Sequence, residues 1–564
     1  MLCKICGSPK LVQFISFGEM PVANAFLKKE DLEKPEYKYE MAVGFCEDCK
    51  MVQLINIVPY NKYIVPDNQG KTNYAFFSST SKFMENHFAE LAKEVEDKFL
   101  KQGDKVIEIG SNDGILLKAF KNNIVLGVEP SHNVADVAIS QGIDTLKEFF
   151  SENLARKLVK EKGKFKAAFT TNVFLNIIDL HDFLKGINEL LEDNGIFVTE
   201  DPYIPSILEK NSYDQIYDEH IWYFSLTSLS NLFKMHGLEI FDAEKLWVHG
   251  GSMRVYTCKI GKYEKTQRLK DYFEEEKQKG IDTLSHYNLF ARNVEQSKNE
   301  LYNIVMGLKA KGKKIVGYAA ASKGTIVLNY CNLGKNVLDY ISDSTPFKQG
   351  LFSPGKHIPI VAPEFFNNDN ADYALLSAWN HAQEIMEKEK NFIARGGRFI
   401  VHLPKPRILE PGELIEEKRL EEIKTKKLKV FADDEGYLFE TLRNDDDLFD
   451  NKFGQVLVSV LYPGVIKGLH RHSKQTDYTT CIKGNVKYIA IKEENGKIDI
   501  KTFIIGESNP ILIKVPSGYW HGYMPLGNER AIILHTMDKP YNPQDPDTDE
   551  INHFSFGDIW NKKN

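Results

Sequence analysis

Read for its apolar and polar positions, the chain changes grammar twice. Apolar runs near 105 to 109, 124 to 128, 167 to 173 and 195 to 200 alternate with segments of helical period, which predicts a parallel sheet with helices between its strands. A helix opening in residues 73–88 and running to about Gln102 precedes the first strand. Tyr263 to about Lys311 is charged, helical in period and almost free of proline, and predicts long helices joining two lobes. A second strand, loop and helix follows at Lys314 to Gly324; with Asp343 closing another strand and Leu375 to Trp379 after it, this second α/β lobe ends near Pro406. The mixed-charge run from Pro411 to Lys429 predicts a solvated helical linker. Beyond it come short alternating strands at Gln455 to Leu461, Thr479 to Ile482, Lys487 to Ile491, Ile511 to Val515 and Ala531 to His535, the pattern of an antiparallel barrel or jelly roll. The predicted fold class is α/β plus all-β.

Chemistry concentrates where the first strand ends. In Val106–Leu117, Gly110 and Gly114 permit a tight turn, and Ile115 to Phe120 is expected to resume as helix. The acids Glu108 and Asp113 would repel a pyrophosphate but suit a ligand that carries an ammonium group, and Glu129, ending the next strand, stands where a carboxylate holds ribose hydroxyls. S-adenosylmethionine meets that description, with Gly110, Asn112, Gly114 and Asn172 expected around it. Cys3, Cys6, Cys46 and Cys49 form two Cys-x-x-Cys knuckles, the soft tetrahedral set of a structural zinc site in a short, loop-rich module. Tyr217, Glu219 and His220 crowd within four residues, offering a phenol, a carboxylate and a titrating imidazole.

Length and charge narrow the classes. At 564 residues the chain holds several domains, and a net charge of -7 without a basic stripe excludes nucleic acid as a partner. No apolar run approaches the roughly 18 residues that span a bilayer, and no signal peptide precedes Cys3, so a cytoplasmic protein without membrane attachment is expected. Cys258, Cys331 and Cys481 are isolated and read as small buried hydrophobes.

Two resemblances follow from these motifs. Residues 1 to about 408 resemble the sugar 3-C-methyltransferases that act on nucleotide-linked 4-keto-deoxysugars. The carriers are the knuckles, the donor loop, Tyr217-Asp-Glu-His220, His249-Gly-Gly-Ser252, Thr345-Pro-Phe-Lys348 and Pro354-Gly-Lys-His-Ile-Pro359. The resemblance implies that His220 is the base at C3 with Tyr217 beside it, that Glu219 and Tyr74 line the site, and that His249, Lys323 and Lys348 hold the sugar nucleotide. Phe77 and Asn176 depart from the tyrosine and histidine of many relatives. Residues 430–564 resemble the cupin barrels of dTDP-4-keto-6-deoxyhexose 3,5-epimerases, through Phe453-Gly-Gln455, Lys467-Gly-Leu-His470, Val515–Gly522 and Tyr541-Asn-Pro543. This implies His470 as base, His535 or Tyr541 as acid, and Gln455, Lys467, His472 and His521 around the sugar, in a barrel that dimerises. A competing reading takes His470, His472, Gln475 and His521 as ligands of a divalent ion. The same barrel pattern also suits a ketoisomerase, or a non-catalytic module that holds the sugar or pairs two chains.

The expected order is a zinc-binding module at 1–70, a Rossmann-like methyltransferase core at 71–262, a helical connector with a second α/β lobe at 263–408, a linker at 409–429 and a cupin at 430–564. The substrate implied is a dTDP-linked 4-keto-deoxysugar. Its C4 ketone acidifies the protons at both C3 and C5, a chemical reason for joining the two halves.

Overall fold

The computed structural model describes residues 1–62, 72, 74, 77–80, 82–410, 424–433, 436–443, 446, 448–449, 452–494, 497–540, 542, 544 and 546–560. Two compact units divide it, Met1–Glu410 and Pro411–Asn564.

In the first unit the module around the knuckle cysteines is more ordered than its sequence suggests. Strands Leu11–Pro21, Lys38–Cys46 and Val52–Leu54 form an antiparallel sheet, and Trp222–Tyr223, which closely follows His220, joins it beside Val52–Leu54. The reason lies in burial: Met41 to Phe45 are nearly inaccessible, and Cys3, Cys46 and Cys49 share one hydrophobic core with Phe174, Trp222, Phe224 and Phe233.

The central sheet has strand order Leu238–Leu246, Ser252–Lys259, Leu191–Pro202, Phe165–Thr171, Lys105–Ile109, Ile124–Val128 and Thr145–Leu146. Its last five strands are parallel and the first two are added antiparallel. The helix Lys82–Phe99 precedes the first strand. After the donor loop only a 3-10 turn, Leu117–Ala119, forms in place of the expected helix: too few residues lie between Gly114 and Lys121-Asn-Asn123 for successive i to i+4 bonds. Helices Gln267–Gln278 and Leu284–Ala310 lead to the second lobe, whose strands are ordered Ile360–Val361, Ile341–Ser342, Ile315–Tyr318, Tyr373–Leu376, Arg398–Val401 and Arg407–Ile408. No helix among the described residues is long and apolar enough to cross a membrane.

The second unit pairs two five-stranded antiparallel sheets. One runs Lys424–Lys427, Ile511–Val515, Asp477–Lys483, Ala531–Met537 and Gln455–Leu461; the other runs Lys497–Gly506, Asn485–Glu494, Trp520–Leu526, Lys467–Arg471 and Asp549–Glu550. Leu461, Cys481, Ile513, Val515 and Ile533 of one sheet meet Val486, Tyr488, Ile505 and Tyr523 of the other in one core. Lys424–Lys427 corrects the expected linker helix. It is an edge strand, where lysines suit an open backbone edge, and Leu428 behind it is buried; residues 411–423 lie outside the described residues.

Candidate active sites

The loop after Lys105–Ile109 opens into a cavity of ≈ 440 Å³ lined by Glu108, Gly110, Asn112, Glu129 and Asn172, among others. Gly110 has φ +73°, and a Cβ there would stand 2.5 Å from Val173, so the close turn requires glycine. Glu108 accepts from Thr171 Oγ1 at 3.2 Å through one oxygen, while the other is buried without a hydrogen-bond partner. Burial, against the Thr171 hydrogen bond, pushes this carboxyl well above its ordinary range. Glu129 accepts from Asn112 N at 3.0 Å and Ser131 N at 2.7 Å, and burial raises it as well. An orphaned acid oxygen and a second acid on the same cavity fit the ammonium and ribose groups of S-adenosylmethionine. Asp113 and Gly114 are not among the lining residues. Asp113 accepts from Ser79 N at 2.9 Å, and a Cβ on Gly114 would meet Ile143 at 2.5 Å, so both shape the loop from behind.

Sequence reading missed Glu200. It lines the cavity, pairs with His87 Nε2 and accepts from Arg254 Nε at 3.0 Å. Its partners lie 113 and 54 residues away, so no local motif announces it.

Glu219 and Tyr74 line the same cavity, as does Asn176, whose Oδ1 is buried without a partner. Tyr217 and His220 are not among its walls; their rings lie 4.0 Å apart, and His220 is 4% exposed. His220 Nδ1 stands 2.8 Å from the Gln215 carbonyl oxygen. A carbonyl only accepts, so Nδ1 carries the hydrogen and Nε2 is the basic nitrogen. The turn Tyr213–Gln215 is held by Trp379 Nε1, which donates to Asp214 Oδ2 at 2.7 Å. From the zinc module, Ala23 N donates to Asp218 at 2.8 Å and Asn24 Nδ2 to Glu219 at 2.6 Å. Burial and the charge of Glu219 push Asp218 up to about 7.

Lys323 and Lys348 are not on this cavity: Lys323 Nζ lies 5.7 Å from the Trp379 ring, and Lys348 Nζ donates to Ala320 O at 2.8 Å. The side chain of His249, at the 3-10 turn Val248–Gly250, lies outside the described residues.

The sulfurs of Cys3, Cys6, Cys46 and Cys49 all lie within 4.8 Å of one another, with Cys3–Cys49 at 3.5 Å and Cys6–Cys46 at 3.6 Å. Four thiolates at tetrahedral corners around zinc stand ~3.7 Å apart, so the set fits that ion. Gln53 Nε2 donates to Cys3 Sγ at 3.1 Å, as an outer hydrogen bond on a ligand does.

In the barrel a cavity of ≈ 770 Å³ is lined by Gln455, Lys467, His470, His472, Tyr523 and His535, among others. His521 lies just behind, its ring 4.2 Å from that of His470 and its Nε2 3.2 Å from Asp477 Oδ2. Asp477 corrects the candidate ligand set: His470, His472, Asp477 and His521 offer atoms all within 4.8 Å, whereas Gln475 donates to Asp477 Oδ1 at 2.6 Å. Burial, with His521 and His472 nearby, lowers His470 to about 2, and burial lowers His535 to about 4. His535 Nδ1 lies 3.1 Å from Thr479 Oγ1 and Nε2 3.0 Å from the Tyr523 hydroxyl. Tyr541 lies outside the described residues.

Family models match along the chain: a zinc binding domain at 3–63, a methyltransferase domain at 82–243, a C-methyltransferase C-terminal domain at 247–404 and a polysaccharide biosynthesis C-terminal domain at 431–549. Over 411 residues the chain is 34% identical to C-methyltransferase NovU of Streptomyces niveus, covering 72% of this chain and 96% of that protein. Its carboxyl part is 36% identical over 144 residues to spore coat polysaccharide biosynthesis protein SpsL of Bacillus subtilis, 25% of this chain and 95% of that one. It is also 26% identical over 133 residues to dTDP-4-dehydrorhamnose 3,5-epimerase of Neisseria gonorrhoeae, 22% of this chain and 40% of that protein. The chain therefore belongs to the C-methyltransferase family and carries an epimerase-like barrel fused behind that enzyme.

Proposed function

We propose that the protein methylates C3 of a nucleotide-linked 4-keto-deoxyhexose and epimerises the same sugar at C5. The observation that carries the first step is the pairing of His220 Nδ1 with the Gln215 carbonyl, which makes Nε2 the basic nitrogen of a ring 4.0 Å from that of Tyr217. S-adenosylmethionine, held by Glu108, Asn112 and Glu129, supplies the methyl group. His220 removes the C3 proton, the C4 ketone takes the electron pair as an enolate, and C3 would take the methyl group as its bond to the sulfonium sulfur breaks and the neutral thioether leaves; buried walls keep water from the carbanion. Zinc on the four cysteines holds the module that positions Asn24 and Ala23 and does no chemistry.

In the barrel His470, neutral at physiological pH, takes the C5 proton. After methylation C3 is quaternary and has none to give, so C5 is the centre left to invert. The nucleotide is dTDP, and two copies associate through the barrel. His220→Asn should bind donor yet lose methyl transfer and C3 exchange while C5 exchange remains, and His470→Asn should do the reverse. If His220→Asn still washes C3 deuterium into solvent at the native rate, the first assignment falls.

Asp477 favours a second reading of the barrel. Three imidazoles and one carboxylate suit a divalent transition ion, which would make His470 a ligand. Metal-depleted protein that keeps native C5 exchange supports His470 as base; loss restored by a divalent ion supports the metal.

A further inference from the structure

We infer that Tyr523 is the proton donor of the barrel's epimerisation, acting across the sugar ring from His470. This rests on the epimerase reading of that cavity and names the acid that the sequence leaves open between His535 and Tyr541.

The register of two strands supplies the geometry. Lys467–Arg471 and Trp520–Leu526 are antiparallel neighbours in which His470 stands opposite His521. Tyr523 is two residues beyond His521, so its side chain leaves the same face of the sheet as His521 and His470; its own partner across the strands is Lys467, and a bulge lies between Lys467 and His470. His470 and Tyr523 both line the cavity. A sugar ring seated between the two side chains would have one contact on each face, as inversion by removal on one side and return on the other requires.

The hydrogen bonds select the phenol over its neighbour. His535 also lines the cavity, but its Nδ1 faces Thr479 Oγ1 and its Nε2 faces the Tyr523 hydroxyl, so its path to a bound sugar runs through that hydroxyl. Tyr523 additionally lies 3.4 Å from Ser459 Oγ, which accepts from Lys467 Nζ at 2.9 Å. A phenolate formed there meets an N–H from His535 and a serine hydroxyl backed by an ammonium.

The step balances. His470 takes the C5 proton, and the C–H electron pair spreads over C5, C4 and the ketone oxygen. The pair returns to C5, which bonds the hydrogen of the Tyr523 hydroxyl on the opposite face. Imidazolium and phenolate are then each reset by exchange with water, so the hydrogen delivered to C5 comes from solvent.

The test is Tyr523→Phe in the full-length chain, given dTDP-4-keto-6-deoxyglucose in deuterated water, with exchange and configuration at C5 read separately by NMR. Exchange should continue, because His470 can return deuterium to the face it came from, while inversion falls at least about 100-fold, the usual contribution of a positioned acid. Inversion within about threefold of the unsubstituted protein would overturn the assignment. Loss of exchange together with inversion would overturn it too, since that marks a structural part. His535→Gln keeps an N–H for the phenol and should lose less inversion than Tyr523→Phe; an equal loss would move the donor to His535. If the unsubstituted protein neither exchanges nor inverts C5, the epimerase reading fails, and this assignment with it.

Discussion

Glu129 accepts two backbone N–H groups and lines the donor cavity. Glu129→Ala should weaken S-adenosylmethionine binding by roughly 1–3 kcal/mol, the worth of a charge-assisted bond; calorimetry that finds native affinity contradicts it. His535 makes a prediction on pH. Its folded imidazole titrates at about 4, against ~6.5 in an unfolded chain. The unfolded state therefore binds the proton first, so the contribution is whole above ~6.5 and is lost as pH falls toward the folded value, on the order of 3 kcal/mol in all. Protection factors of amides in the strands Asp477–Lys483 and Ala531–Met537, taken relative to intrinsic rates at each pH, should fall between pH 7 and 5, and less so in His535→Gln. At this scale the sequence is readable where residues sit in a short motif, as in Tyr217 to His220, whose rings lie 4.0 Å apart, or the two Cys-x-x-Cys knuckles, whose sulfurs gather within 4.8 Å. It hides Glu200, whose partners His87 and Arg254 come from a helix and a distant strand. It also misdirects from Asp477 to Gln475, because only the strand beginning at Asp477 decides which of the two faces the histidines.

Strands with a mostly apolar run came through from sequence almost to the residue, such as Lys105–Ile109, Ile124–Val128 and Ile511–Val515. Two elements did not, for opposite reasons. Ile115 to Phe120 has helical residues but too little length, and Lys424–Lys427 has a helical charge pattern but an open strand to pair with. The zinc module is the larger surprise, since Trp222–Tyr223 extends its sheet and Asn24 holds Glu219. Losing the metal should therefore disable methyl transfer as well as unfold the module. Cys46→Ser with Cys49→Ser should lose zinc by metal analysis and drop methylation at least about tenfold, while C5 exchange in the barrel persists. A stable, fully active variant without zinc would refute this.

The molecule divides into two units, each with a complete core and its own cavity. The strand Gln455–Leu461 ends one sheet of the barrel and exposes Val456, Val458 and Val460 by half or more, an open apolar edge on which the proposed association of two copies can be tested. Sedimentation should find a dimer that Val458→Glu dissociates, and a monomeric unsubstituted chain would contradict it. That one ketone serves both units can be read from a single NMR spectrum. The full chain is given S-adenosylmethionine and dTDP-4-keto-6-deoxyglucose in deuterated water. The product should carry a new methyl group on C3 and deuterium on an inverted C5. A methyl group at any other carbon, or a C5 that keeps its original hydrogen and configuration, would contradict a shared ketone.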